Sequence, residues 1–222
     1  MMMKLKIKYH LLLLIPIVFL LSACYYELFS ADTLQRVEGE SVMFKDDFSG
    51  KGGGWVTSED SHSFSGYALG GFQFRSDITN FQFWSVPGLN FKDAHVYTRA
   101  RKIGGPNDNL FGLMCRYQDP LNFYAMIIGS DGYYGILKVI QGHQTLIDQK
   151  HLDFSEVINR GNAENEIHAL CQGENLALVV NDTRLLQVQD DSLSYGDVGL
   201  IAGNFSEPGV NVLFDNFIVI NP

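Results

Sequence analysis

Two hydrophobic patterns divide the chain. Near the start, residues 11–20 form an apolar run broken only by Pro16 and preceded by Lys4, Lys6 and Lys8. From Met43 onward, apolar and polar residues alternate over short stretches that end at Gly, Pro, Asn or Asp. Phe72-Gln73-Phe74 and Phe81-Gln82-Phe83 have the period of two expected of a half-buried strand. Residues 94–102 read as a strand carrying His95, Tyr97, Arg99 and Arg101 on alternate positions. The breakers at 104–109 separate it from a strand over 111–117, and Asp119-Pro120-Leu121-Asn122 turns into another over 123–128. Ser130-Asp131-Gly132 makes a hairpin into 133–141, and Gln172-Gly173-Glu174-Asn175 joins 167–171 to 176–180. Segments 198–202 and 210–219 close the series. The pattern predicts about fourteen short strands at sandwich-like spacing, with one helical turn over 155–159. No amphipathic helix intervenes, so a parallel βαβ architecture is excluded. The expected fold class is all-β, two antiparallel sheets packed as a sandwich over 43–222. Residues 24–42 lack periodicity and read as a tether.

The early run is an address. Residues 11–23 are 13 residues long, short of the ~20 that a membrane-spanning helix needs. A charged start, a short apolar middle and small residues before a cut describe a secretory signal over 1–23. Its ending, Leu21-Ser22-Ala23-Cys24, resembles the lipobox of bacterial lipoproteins. That resemblance implies a signal cut before Cys24, lipidation of its sulfur, and a membrane anchor made of acyl chains. Tyr25 stands where Gram-negative lipoproteins held in the inner membrane carry Asp. The expected place is therefore the cell envelope, at the outer membrane or cell surface.

Charge and cysteine content fit that address. The formal charge is −9, and loss of three Lys with the signal makes it −12. An acidic chain is a poor partner for nucleic acid, whose binding rests on Lys and Arg neutralising phosphates. It is also repelled by anionic headgroups, so acyl chains must hold it to the membrane. Apart from Cys24, the cysteines are Cys115 and Cys171, both in apolar, strand-like stretches. An oxidising compartment permits a disulfide between them; the alternative is two buried thiols acting as small hydrophobes.

Several fragments, in order, resemble the concanavalin A-like lectin/glucanase superfamily, the laminin-G-like jelly rolls. They are Asp46-Asp47-Phe48-Ser49 with Trp55, then Gly112-Leu113-Met114-Cys115-Arg116-Tyr117, Asn122-Phe123-Tyr124 and Asp131-Gly132-Tyr133-Tyr134 with Lys138. Gly196-Asp197-Val198-Gly199-Leu200 and Phe214-Asp215-Asn216-Phe217 complete the set. The chain is also similar to sandwich domains described as 3-keto-disaccharide hydrolase-like. The resemblance implies two sheets of six or seven strands, one of them concave, with the first and last strands adjacent. It further implies an oxygen-ligated calcium ion near those strands, with Asp47 and Asp215 as the matching acids.

Catalytic signals are sparse. The Glu-x-Asp-x-Glu strand of the glucanase branch is absent, although Glu164-Asn165-Glu166 places two carboxylates at i and i+2. Asp46-Asp47 and Asp190-Asp191 are adjacent, so extended backbone sends their side chains to opposite faces. The histidines show no metal spacing. Aromatic rings and hydrogen-bond donors are present, as stacking on sugar faces and contact with hydroxyls require. The candidate ligand-binding residues are Trp84, Tyr117, Tyr124, Arg99, Arg101 and Arg116, with Tyr133 and Tyr134 on opposite faces of one strand. The three arginines are expected to form a polar row across one sheet. The leading expectation is a non-catalytic, lipid-anchored module for a glycan or glycoconjugate. The alternatives are an envelope protein-interaction module and a hydrolase of a sugar derivative.

Overall fold

The computed structural model describes residues 41–222; Cys24 and the signal and tether readings over 1–40 lie outside the described residues. The described chain forms only strands and turns. In order these are β1 (Val42–Asp46), β2 (Ser58–Glu59), β3 (Ser63–Ala68), β4 (Gly71–Ser76), β5 (Gln82–Ser85), β6 (Ala94–Gly104), β7 (Asn109–Asp119) and β8 (Asn122–Ile128). Then come β9 (Tyr133–Ile140), β10 (His143–Leu146), β11 (Asp153–Phe154), β12 (Asn165–Gln172), β13 (Asn175–Val180), β14 (Thr183–Gln189), β15 (Asp197–Asn204) and β16 (Val210–Ile220). The helical turn expected over 155–159 is a non-helical turn and bend.

The strands make two antiparallel sheets. The nine-stranded sheet runs β14-β13-β12-β6-β16-β4-β3-β2, with β1 also on β16; the seven-stranded sheet runs β10-β9-β8-β7-β15-β5, with β11 on β9. First and last strands pair, Phe44 opposite Val219 and Asp46 opposite Phe217. The fold is a jelly-roll sandwich. Alternation along each strand sends one set of side chains between the sheets. Phe72, Phe74, Phe214 and Phe217 enter from the larger sheet and Phe111, Leu113, Met126 and Leu200 from the smaller, all buried. Cys115 on β7 and Cys171 on β12 are joined as a disulfide across the two layers.

The seven-stranded sheet is apolar on both faces. Leu110, Met114, Phe123, Ala125, Ile127, Leu137, Val139 and Ile201 form a second buried cluster. They alternate in sequence with the core residues Phe111, Leu113, Tyr124, Met126, Ile136 and Leu200, so they occupy the outer face. The continuous apolar runs of β7 and β8 follow from this, since a strand buried on both sides loses its alternation. On the nine-stranded sheet the outer positions are mixed, with His95, Tyr97, Arg99 and Arg101 along β6.

Candidate functional site

The arginine row does not form. Arg99 and Arg101 lie on the outer face of the nine-stranded sheet, whereas Arg116 belongs to the seven-stranded sheet and turns inward. Arg99 is tied up locally: Nε donates to Tyr97 Oη at 3.0 Å, and Nη2 lies 3.2 Å from Glu166 Oε1. Burial pushes the Tyr97 phenol up to about 12. Arg101 is exposed. Beside them His168 is buried, its Nδ1 3.0 Å from His95 Nε2; burial, then His95, pushes it down to about 4.

Arg116 and Tyr124 are structural, which corrects their assignment as ligand contacts. Arg116 is 3% exposed and Tyr124 fully buried, so neither can stack on or reach an external ligand. Arg116 has φ 51°, a left-handed turn inside β7 at the register break between Cys115 and Asp119. That bulge swings its side chain inward, where Nη1 donates to Leu193 O at 2.7 Å and Nη2 to Gly173 O. Tyr124 Oη donates to Asp190 and accepts from Leu193 N at 3.0 Å. Lys138 donates to the same carboxylate. Burial raises the Asp190 carboxyl, but the hydrogen bonds from Lys138, Ser192 and Tyr124 outweigh it and hold it well below the usual range. Burial also pushes Tyr124 up to about 12. Together these four side chains staple the β14–β15 connection to the seven-stranded sheet.

Trp84 and Tyr117 do come together. Both are half-buried at the fringe of the outer apolar cluster, with Trp84 Nε1 donating to Tyr117 Oη at 3.3 Å and Phe123 packed against both rings. Trp84 and Tyr117 are on the opposite sheet from Arg99 and Arg101, so the four cannot serve one ligand.

Neither acid proposed for calcium sits in a cage. Asp47 is exposed and accepts from Ser49 N and Oγ, closing a local turn. Asp215 lies opposite Arg99 across the β6–β16 ladder and accepts from Asn216 N. Among the described residues no three His, Cys, Asp or Glu gather as ligands. The residues present do not fit a calcium shell of six to eight oxygens.

The best-formed recognition geometry is a groove of about 770 Å³ at the β8–β9 turn. It is built on Asn109, buried at the start of β7, whose Oδ1 accepts from Ser130 N at 3.0 Å and whose Nδ2 donates to Pro106 O and Ser130 Oγ. Those bonds fix the turn, in which Gly132 N donates to Gly129 O. Gly132 has φ 101°, and a Cβ there would sit 2.7 Å from a ring carbon of Phe154, so glycine lets that ring close over the turn. β11 then pairs with β9 and sets Phe154 directly opposite Tyr133. The two rings meet edge to face at 5.6 Å, yet Tyr133 is 43% and Phe154 44% exposed. Arg160 lies over the Phe154 ring, its guanidinium carbon 5.8 Å from the centroid.

Polar groups surround this aromatic pair. Asp108, Asp131, Asp153 and His151 line the groove, while Leu152 and Phe205 form an apolar side. Burial raises the Asp131 carboxyl, and nearby Asp108 adds to that, against hydrogen bonds from the backbone at Tyr133 and Asp131. Exposed rings beside carboxylate acceptors can stack on the C–H face of a sugar while accepting from its hydroxyls. Tyr133 is a residue that strand parity singles out; Phe154 is not. Its one sequence signal is a lone aromatic ring in the polar stretch 148–156.

No family model and no curated protein matches the chain. Solved structures share its fold. A carbohydrate-binding module, CBM66 from Bacillus subtilis, superposes with a TM-score of 0.61 at 18% identity, covering 76% of this chain and 96% of that one. A Bacillus subtilis protein of unknown function with a galectin-like fold gives 0.57 at 11%, covering 82% and 96%. A Bacteroides ovatus GH16 protein of a mixed-linkage glucan locus gives 0.55 at 9%, covering 80% and 99%. At these identities the likeness establishes the jelly-roll sandwich, an architecture that hosts many activities.

Proposed function

We propose that the chain is a lipid-anchored, extracytoplasmic module that binds a glycan without catalysis, through the groove at the β8–β9 turn. The observation that carries the reading is the exposed Tyr133–Phe154 ring pair set among Asp108, Asp131, Asp153 and His151. Large rings left open to water in a preformed groove are costly unless a ligand covers them. Export and anchoring at Cys24 are supported by the signal sequence and lipobox, and the Cys115–Cys171 disulfide fits an oxidising compartment. The similarity in fold to a carbohydrate-binding module supports the ligand class.

The test is a glycan array and polysaccharide pull-down, with and without calcium, comparing the native chain with Tyr133→Ala. Binding that falls about tenfold or more in the variant, with unchanged unfolding, is the expected result. An absence of glycan binding alongside tight capture of an envelope protein would overturn the reading.

A further inference from the structure

The groove and the outer face of the seven-stranded sheet share a wall. Leu152 and Phe205 line the groove and also pack against the outer apolar cluster. Leu146 and Leu152 fold over β9: a Cβ on Gly135 would meet Leu152 Cδ2 at 2.8 Å and Leu146 Cδ2 at 2.9 Å. From there the apolar surface continues across β8, β7 and β15 to the half-buried rings of Trp84 and Tyr117. Nothing in it suits a sugar hydroxyl. The cluster and its fringe contain no charged side chain and no histidine, and the Trp84 indole N–H is already donated to Tyr117. From β7, where the groove begins, Trp84 on β5 is two strand spacings away, about 10 Å.

We propose that the ligand is an amphipathic glycan, its sugar head in the groove and its aliphatic tail along the Leu146–Leu152–Phe205–Trp84 fringe of the seven-stranded sheet. This rests on the glycan reading of the groove and adds the second half of the ligand. Stacking and hydroxyl contacts hold the head; burial of methylenes against leucine, isoleucine and aromatic side chains holds the tail.

The test uses methyl, hexyl, octyl and decyl glucosides, galactosides and maltosides below their micelle concentrations, with decanol as the headless control, on the full chain. Affinity is expected to rise about two- to fourfold per added methylene. A terminally brominated decyl glycoside should quench Trp84 fluorescence, and the quench should vanish in Trp84→Phe. Sugar binding independent of chain length overturns the proposal and leaves the glycan reading standing. A face filled by the chain's own preceding residues or by a second copy would give that result. Quenching that survives Trp84→Phe places the tail elsewhere and also overturns it. Decanol binding as tightly as decyl glycosides, or no binding by any probe, overturns both.

Discussion

Tyr124 and Tyr133 sit on neighbouring strands of one sheet and have opposite fates. Tyr124 is fully buried, its hydroxyl shared between Asp190 and Leu193 N. Tyr133 is 43% exposed and meets Phe154 edge to face. The first closes a network that holds a loop; the second leaves an apolar surface in water. A buried polar network is costly to break because its partners lose water and each other together. An exposed ring contributes little to folding and is free to be used in binding. The contrast assigns stability to the Tyr124 region and recognition to the Tyr133 region.

The largest expected effect is on the buried side of that comparison. Tyr124→Ala should destabilise by about 3–5 kcal/mol, from the cavity and the stranded Asp190 carboxylate, read as a shift in the urea midpoint. Replacing Cys115 and Cys171 together by Ala releases a loop closed over a separation of 56 residues, at a cost of about 4 kcal/mol in the chain-entropy model. Reduction of the native protein should give a similar loss by calorimetry. Either variant retaining native stability would dissolve the distinction between the two regions.

A smaller effect comes from His168. Its folded value of about 4 lies below the model value of 6.5, so the unfolded chain binds a proton that the folded chain refuses. Stability is full above about pH 6.5 and falls as the pH drops through about 4, by roughly 3 kcal/mol in all. Urea titrations at stepped pH should show that slope, and His168→Asn should remove it. The smallest effect on stability is expected at Tyr133→Ala, within about 0.5 kcal/mol, although the same change abolishes most glycan affinity.

Much of the architecture was legible. Period-two alternation and Gly-rich turns located most strands, and the paired ends of the chain followed from the jelly-roll resemblance. Facing was harder. In β7 the parity of Phe111, Leu113 and Cys115 continued would bury Tyr117 and expose Arg116; the left-handed Arg116 reverses both. Nothing local in the sequence announces a bulge at an arginine. Tyr124 was misread because the partner that satisfies its hydroxyl, Asp190, is 66 residues away. Phe154 was missed because its strand is two residues long and acquires meaning only when paired with Tyr133. The apolar outer face was visible in part, as unbroken runs in β7 and β8, but a run alone does not say what lies on its second side.

The most direct measurement is a map of amide chemical-shift changes as an array-selected oligosaccharide is titrated into the isotope-labelled chain. Changes should centre on 108–109, 131–133, 151–154 and 205, with slower dissociation lost in Phe154→Ala. Changes centred instead on Arg99, Arg101 and Glu166, across the other sheet, would contradict the assignment of recognition to the Tyr133–Phe154 groove.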